Sequence, residues 1–233
     1  MSNILITGAN RGLGLELTRQ CLERGDTVVA GCRRPEQAVE LQELTAAYGE
    51  RLHIIQLDVT QEAEVEEAAT AVSANIDALD MVINNAGSYP RGERVDGFDG
   101  AQMQHVFDVN VTGAMRVTAA FVPLLRRRAR GQIINISSQL GSLASMAHNQ
   151  GDYSYNSSKA ALNMVSRKLA HDLRGDGITV IAMHPGWVQT DMGGAHAAIT
   201  PPESARGILT VAERLTPADS GEFFVYSGEK HPW

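Results

Sequence analysis

Short apolar runs alternate with longer amphipathic stretches along the whole chain. The apolar runs, rich in Ile, Leu and Val, are typical of strands buried on both faces. They occupy residues 3–7, 26–32, 53–57, 79–83, 132–138, 178–183 and 222–226. Helical patterns lie between them, at residues 15–25, 35–49, 61–74, 98–128 and 155–174, and a last helix starts at Pro201. The alternation shows no repeat or linker, so it predicts a single α/β domain over residues 1–233. Its expected architecture is a Rossmann-type, doubly wound, largely parallel sheet with helices on both faces.

Three glycines stand between the first predicted strand and the first predicted helix. They let the backbone turn tightly and approach a phosphate closely, while the helix N-terminus offers free N–H groups and the positive end of a dipole. An ordinary glycine-rich turn is the alternative, but a glycine cluster at this junction favours a dinucleotide site. The residues predicted to bind the cofactor here are Gly8, Asn10, Arg11, Gly12, Leu13 and Gly14.

The end of the second strand indicates which dinucleotide is bound. In this fold the residue at that point meets the adenosine ribose, and an acidic side chain there selects NAD. This chain has Cys32 followed by Arg33 and Arg34, and a guanidinium fork suits a phosphate. The hypothesis is a preference for NADP(H), with Arg33 and Arg11 flanking the 2'-phosphate. The alternative is that both arginines are simply solvated.

Small and amide residues follow the fourth strand, where Asn85, Ala86 and Gly87 leave its carboxyl end. Ligands of open α/β sheets bind at that edge. These residues therefore predict a ligand contact, although a plain Asn-Gly turn is the simpler alternative.

A tyrosine and a lysine form the strongest candidate chemical pair. Tyr155 and Lys159 are four residues apart in a predicted helix, so they share one face. A positive charge nearby favours the phenolate and lowers the pKa of the phenol. The pair is therefore a plausible proton donor and acceptor for alcohol and carbonyl chemistry. Asn110 lies inside a predicted helix, where propensity disfavours it, so it either caps an internal irregularity or faces the site.

Composition excludes several classes of function. The 233 residues carry a formal net charge of -7, which argues against a nucleic-acid partner. No apolar run is long enough to cross a membrane, and no segment before the first strand resembles a targeting peptide. The two cysteines form no disulfide framework, which favours a reducing cytoplasm. No Cys, His or Asp grouping has metal-ligand spacing, so no metal is expected.

Taken together and in order, these motifs resemble the classical short-chain dehydrogenase/reductase family across essentially the whole chain. The run from His184 to Val188 and the segment from Asp191 to Gly194 are similar to the sniffer and C-factor group of carbonyl reductases. The resemblance implies a catalytic tetrad, an adenine contact and a nicotinamide contact. These comprise Asn110, Ser138, Tyr155 and Lys159 for the tetrad, Asp58 and Val59 for adenine, and Val188 and Thr190 for nicotinamide.

The resemblance also implies a reaction, in which NADP(H) exchanges a hydride with a small carbonyl or alcohol substrate. Tyr155 is then the proton donor and acceptor, and Ser138 binds the substrate oxygen. Lys159 lowers the pKa of Tyr155 and binds the nicotinamide ribose, and Asn110 holds a relay water. A homodimer or homotetramer is implied as well. The alternatives are a cofactor-binding regulatory protein with little turnover, as the C-factor likeness suggests, and an alcohol dehydrogenase specific for a sugar or steroid.

One spacing departs from the family pattern. The segment from Ser138 to Tyr155 is a few residues longer than usual, and counting back by the usual spacing gives Ser142. We choose Ser138 because it ends the fifth strand. The extra residues are expected to enlarge a loop at residues 146–150 beside the substrate cleft, and the Gly- and Ala-rich segment 191–200 is a candidate lid.

Overall fold

Seven strands form one sheet in the computed structural model, which describes residues 1–145 and 151–233. The strands are β1 (Asn3–Thr7), β2 (Thr27–Cys32), β3 (Leu52–Gln56), β4 (Met81–Asn84), β5 (Gly131–Ile136), β6 (Ile178–His184) and β7 (Phe223–Val225). They lie in the order β3-β2-β1-β4-β5-β6-β7, and every neighbouring pair runs parallel. The predicted doubly wound fold is confirmed, and the sheet is parallel throughout rather than largely so. The loop predicted at residues 146–150 lies outside the described residues.

Helices cover both faces of this sheet because successive strand residues point to opposite sides. Ile4 and Ile6 of β1 pack into one apolar core, whereas Leu5 between them packs into the other. The helices are α1 (Gly12–Glu23), α2 (Val39–Tyr48), α3 (Glu62–Asn75), α4 (Gly100–Phe107), α5 (Gly113–Leu125), α6 (Tyr153–Asp172) and α7 (Pro201–Arg214). The first core receives α1, α2 and α7, and the second receives α3, α5 and α6.

The strand order reverses between β1 and β4. The chain winds outward through β2 and β3, then returns to the other side of β1 for the remaining strands. Open α/β sheets bind ligands beyond the carboxyl ends of the strands at this switch point. The glycine loop after β1 and the segment after β4 both leave the sheet there, so the fold brings two predicted ligand contacts to one crevice.

Two predicted helices are interrupted. Within residues 35–49, a 3-10 turn at Pro35–Gln37 precedes α2, which begins at Val39. Residues 98–128 divide into α4 and α5, which are joined by a π-helical turn, Asp108–Thr112, and Asp99 caps the start of α4 through the N–H groups of Ala101 and Gln102. A hydrophobic period indicates a helix but cannot distinguish an α-helical turn from a wider π-helical one, so the interruption was not predicted.

Within the described residues, no helix combines the length and the apolar character that crossing a membrane requires. Cys21 and Cys32 are both buried free thiols.

His184 at the end of β6 makes folding stability depend on pH. Burial, and secondarily the neighbouring His231, lowers the pKa of His184 to about 4. Its ordinary pKa is near 6.5, so between these values the unfolded chain binds the proton more readily and stability falls as the pH falls. We expect the wild-type protein to lose about 2 kcal/mol of unfolding free energy from pH 7 to pH 5 through this group.

Urea denaturation of the wild-type protein and a His184→Gln variant at both pH values measures this loss. Between pH 7 and pH 5 the variant should lose about 2 kcal/mol less unfolding free energy than the wild type. Equal losses in the two proteins would show that His184 does not carry the pH dependence.

Candidate active site

The glycine loop is shaped for close backbone approach. Gly8 and Gly12 adopt positive φ angles of 64° and 54°, a region that favours glycine. A methyl group on Gly14 would lie 2.2 Å from the carbonyl oxygen of Gly8, so no side chain fits there. At the start of α1, the Arg11 side chain does not cap the helix, and the first turn contains no acidic residue. The first-turn N–H groups and the positive dipole end are therefore available to an anion.

The segment after β4 holds this loop in place. The backbone N–H groups of Asn85 and Ala86 each donate to Thr7 Oγ1 at 3.0 Å. Asn85 Nδ2 donates to the carbonyl oxygens of Thr7 and Gly8 at 2.9 and 3.2 Å. The Asn85 amide, predicted from the sequence as a ligand contact, is thus engaged in bracing the glycine loop.

Tyr155 and Lys159 lie one turn apart on α6, and both are buried. Lys159 Nζ is 5.6 Å from the centroid of the Tyr155 ring and donates to the carbonyl oxygen of Ile136 at 2.7 Å. Gly87 ends the β4 segment beside them, since a methyl group placed on it would lie 3.9 Å from Lys159 Nζ. The pair therefore faces the same crevice as the glycine loop.

The pKa of Tyr155 shifts in the direction opposite to the one expected from Lys159. Burial raises the pKa of Tyr155 to about 12, and a hydrogen bond with Ser138 partly offsets this rise. Burial also lowers the pKa of Lys159 to about 8. The prediction considered only the positive charge, whereas removal from water disfavours the ionised form of both groups. Tyr155 is therefore protonated at neutral pH, as a proton donor must be.

The two candidate serines after β5 have different surroundings. Ser138 interacts with the Tyr155 phenol and lowers its pKa, and the Ser138 hydroxyl accepts a hydrogen bond from the Leu140 N–H at 3.2 Å. The hydroxyl of Ser142 donates to the carbonyl oxygen of Pro232 at 2.7 Å, away from Tyr155. The structure thus brings Ser138, and not Ser142, to the tyrosine.

Asn110 lies in the π-helical turn between α4 and α5 and is buried. Its Nδ2 donates to Ser158 Oγ at 2.9 Å and to the Ser88 carbonyl oxygen at 3.0 Å, while its Oδ1 accepts from the Ser88 N–H at 2.7 Å. The sequence offered two explanations for this residue. It lies in an irregular turn, but its side chain does not cap that turn; the amide is instead directed toward Ser88 and α6. A methyl group on Gly87 would lie 3.5 Å from Asn110 Oδ1, which places the amide beside the crevice.

The loop after β6 closes the other side of the crevice. Val188 is buried, and Thr190 Oγ1 accepts from the Gly193 N–H at 3.0 Å. Thr190 borders the glycine loop, since a methyl group on Gly12 would lie 3.1 Å from Thr190 Cγ2. Of the two predicted nicotinamide contacts, Thr190 therefore lines the crevice, and Val188 lies buried two residues before it.

The segment proposed as a lid is held at several points. The N–H of Gln189 donates to the carbonyl oxygen of Ile199 at 2.9 Å, and the Gly194 N–H donates to that of Thr190 at 2.7 Å. Arg91, from the loop after β4, donates to the carbonyl oxygen of Met192.

The four residues predicted to contact the adenosine end of the cofactor have separate surroundings. Arg11 forms an exposed ion pair with Asp191, with Nη1 2.9 Å from Oδ2, whereas Arg33 is exposed after β2. Asp58 accepts two hydrogen bonds from Thr60, through its N–H and its hydroxyl, at 2.9 and 2.8 Å. Val59 is buried against Gly113. In this structure the Arg11 guanidinium is therefore engaged with the loop after β6.

The chain matches a known protein family. Residues 2–198 match the family model described as short chain dehydrogenase. The chain belongs to the short-chain dehydrogenase family. It superimposes on the NADPH-bound carbonyl reductase from chicken fatty liver with a TM-score of 0.95 and 35% identity, over 100% of this chain and 99% of that one. The carbonyl reductase Sniffer of D. melanogaster gives a TM-score of 0.95 and 32% identity, with 100% of both chains covered.

The C-signal protein of Myxococcus xanthus is 44% identical over 155 residues, which cover 66% of this chain and 93% of that protein. These relatives confirm the resemblance on which the tetrad and cofactor residues were assigned. The similarity extends to both carbonyl reductases and to C-signal, as the sequence predicted.

Sequence reasoning missed one group of residues beside the short-chain dehydrogenase site. The Tyr89 ring stacks on Tyr155, Tyr89 binds Asp152, and the buried Glu93 binds Ser154. Tyr89 and Glu93 lie in a polar, Pro- and Gly-containing loop with no hydrophobic period. A buried glutamate in such a loop leaves no signal in the sequence.

Proposed function

We propose that this protein is an NADP(H)-dependent oxidoreductase that reduces small carbonyl compounds, namely aldehydes, ketones and quinones, to alcohols. The observation that carries the proposal is the buried phenol of Tyr155. It interacts with Ser138, has Lys159 Nζ 5.6 Å from its ring centroid one turn away, and faces the crevice beside the glycine loop. This proposal treats residues 1–233 as one cofactor-binding domain.

The residues of the crevice fit a dinucleotide. Gly8, Gly12 and Gly14 leave the backbone bare at the start of α1, where no side chain occupies the first-turn N–H groups. That arrangement suits a pyrophosphate. Val188 and Thr190 would fix the nicotinamide end, and Asp58 with Val59 would meet the adenine. When bound, NADPH supplies the hydride.

The chain's own residues manage the proton and the developing charge. Tyr155 donates its hydroxyl proton to the carbonyl oxygen as the alcohol forms, and takes it back in the reverse direction. Its raised pKa suits the reductive direction, because the phenol is fully protonated at neutral pH. Ser138, which already binds the phenol, would donate to the same substrate oxygen where negative charge develops.

Lys159 and Asn110 would support this transfer. An ammonium group has three donors, and Lys159 Nζ uses one of them on Ile136. The other two are available for the nicotinamide ribose hydroxyls. The Asn110 amide lies beside the crevice, where it would hold the water that returns a proton from solvent to Lys159.

We expect the preference for NADPH to depend on Arg33. Arg33 follows β2 at the position that meets the adenosine ribose. Loss of a charge-assisted contact to the 2'-phosphate costs roughly 1.5 kcal/mol or more, so Arg33→Ala should weaken NADPH binding about tenfold or more. NADH has no 2'-phosphate, and its affinity should not change. Fluorescence titration measures both affinities.

Arg130→Ala is the matched control. It removes the same charge just before β5, at the amino ends of the strands, whereas Arg33 follows the carboxyl end of β2. It should leave the affinity for both cofactors unchanged. Parallel losses for NADPH and NADH in Arg33→Ala would contradict recognition of the 2'-phosphate.

A panel assay tests the proposed function. Purified protein is given NADPH or NADH with aldehydes, diketones and quinones, and cofactor consumption is followed by absorbance. We expect consumption that depends on the carbonyl and is faster with NADPH. A protein that binds NADPH yet consumes none across the panel would contradict the reductase.

The second candidate function is a cofactor-binding regulatory protein with little turnover. The identity of 44% to C-signal favours it. A protein that only senses the cofactor needs the glycine loop but has no need of Tyr155 and Ser138 together. The reductase is therefore the first proposal. The homodimer or homotetramer and the cytoplasmic location implied by the family resemblance stay predictions.

A further inference from the structure

Tyr89 covers one face of the Tyr155 ring. The two ring centroids are 4.1 Å apart and the ring planes are inclined by 23°, which is a stacked arrangement. Lys159 Nζ lies 5.6 Å from the same Tyr155 ring. Tyr89 comes from the loop after β4, so its contact with α6 is made between two separate elements.

Asp152 fixes the Tyr89 ring from the start of α6. The Tyr89 hydroxyl donates to Asp152 Oδ2 at 2.7 Å, and the Gly92 N–H donates to Asp152 Oδ1 at 3.1 Å. Asp152 is the residue before α6, yet its side chain caps no N–H group of that helix. Both carboxylate oxygens are instead directed to the Tyr89 loop.

The backbone of Asp152 has a left-handed conformation. Its φ is 53° and its ψ 37°, a region that asparagine and aspartate enter more readily than other non-glycine residues. It is the one non-glycine residue with a positive φ in the described part of the chain.

Glu93 provides a second attachment between the same two elements. Its carboxylate is buried and accepts from the Ser154 N–H at 2.7 Å and from the Ser154 hydroxyl at 2.5 Å. The Glu93 carbonyl oxygen accepts from the Asp152 N–H at 3.2 Å. Ser154 immediately precedes Tyr155, so the loop is fastened to the start of α6 directly before the Tyr155 ring.

We propose that Tyr89 is a positioning residue for Tyr155, held in its stack by Asp152 and by the attachment of Glu93 to Ser154. The stack fixes the plane of the phenol and keeps water from one ring face. The hydroxyl edge is left free for Ser138 and the substrate oxygen. This inference rests on the proposed function, because it assigns Tyr89 a role in the proton transfer of that reaction.

Two substitutions of Tyr89 separate the ring from its hydroxyl. Tyr89→Phe keeps the stacked ring and loses the bond to Asp152, whereas Tyr89→Leu keeps bulk and loses the stack. We expect kcat for NADPH-dependent carbonyl reduction to fall about tenfold or more in Tyr89→Leu and to stay within a few fold of the wild type in Tyr89→Phe. The Kd for NADPH should be unchanged in both. A kcat for Tyr89→Leu equal to or above the wild-type value would overturn the proposal and show that Tyr89 covers the Tyr155 ring without contributing to turnover.

Asp152 offers a matched pair that keeps the backbone intact. Asparagine and glycine both tolerate a φ of 53°, but only asparagine can still accept from the Tyr89 hydroxyl. Asp152→Asn should therefore retain most of kcat. Asp152→Gly loses the bonds to both Tyr89 and Gly92, so its kcat should fall further than that of Tyr89→Phe, by several fold, with NADPH binding preserved. Equal kcat values for the two variants would show that the bond to Tyr89 does not matter.

A measurement without turnover tests the stack itself. NMR spectra of protein with isotope-labelled tyrosine, recorded with and without NADPH, should show the Tyr155 ring signals displaced by the ring current of Tyr89. Tyr155→Phe identifies these signals, and Tyr89→Leu should remove the displacement. Its absence in the wild type would overturn the proposal.

The two proposals fail in different ways. An intact stack in a protein with no carbonyl-dependent turnover would overturn the proposed function and the positioning role together. An active wild type whose kcat is insensitive to Tyr89→Leu would overturn the positioning role alone.

Discussion

Replacing Tyr155 with phenylalanine is expected to reduce carbonyl reduction by roughly 10²–10⁴-fold, the range found for loss of a general acid. Phenylalanine keeps the ring, so the stack with Tyr89 at 4.1 Å remains. Only the hydroxyl that binds Ser138 is lost. The glycine loop is untouched, and NADPH affinity should stay near the wild-type value. Steady-state kinetics and fluorescence titration measure the two quantities on one preparation.

Tyr153→Phe is the control for this experiment. Tyr153 is two residues away on α6 and 45% exposed, so its hydroxyl lies outside the buried pair. The control should keep wild-type turnover. Unchanged turnover in Tyr155→Phe would instead remove the phenol from the mechanism, and a parallel loss of NADPH binding would indicate damage to the fold.

The second large effect is expected from Gly14→Ala, which should weaken cofactor binding while Tyr155 stays in place. The added methyl group would lie 2.2 Å from the Gly8 carbonyl oxygen and 2.5 Å from Asn85 Nδ2. Neither group can withdraw freely, because Asn85 braces the loop through Thr7 and Gly8. Overpacking of this kind costs roughly 1–3 kcal/mol, so NADPH affinity should fall by about 10- to 100-fold.

Gly175→Ala provides the matched control, since a methyl group there would meet no atom within 4 Å. Calorimetric titration with NADPH and a thermal melt of each variant separate a damaged loop from an unfolded chain. A Gly14→Ala protein that bound NADPH as tightly as the control would contradict the placement of the cofactor on this loop.

The fold was predictable because every level of the sequence agreed. Apolar runs alternated with amphipathic ones, and the glycines fell where β1 meets α1. The structure differs from the prediction where an α-helical turn and a π-helical turn have the same hydrophobic pattern. The single helix expected over residues 98–128 contains a π-helical turn, and Asn110, whose presence mid-helix required an explanation, lies in it.

Parts of the site depend on contacts between distant residues and could not be predicted in this way. Arg11 was expected at the 2'-phosphate beside Arg33, but in the structure it pairs with Asp191, 180 residues away. The direction of the Tyr155 pKa shift was wrong because the prediction included the charge of Lys159 but not the burial of both groups. Burial is a property of the packed fold, and a single motif does not reveal it.

The proposal that Tyr155 and NADPH act together on a carbonyl group is tested most directly by following the hydride. The protein is incubated with a reactive carbonyl compound and NADPH carrying deuterium at both C4 positions of the nicotinamide, and the alcohol is examined by mass spectrometry. We predict a single deuterium on the carbinol carbon with the wild type, and with Tyr155→Phe a yield of labelled alcohol that is lower by roughly 10²–10⁴-fold. NADPH binding without deuterated alcohol from any carbonyl of the panel would contradict the reductase and favour the regulatory protein.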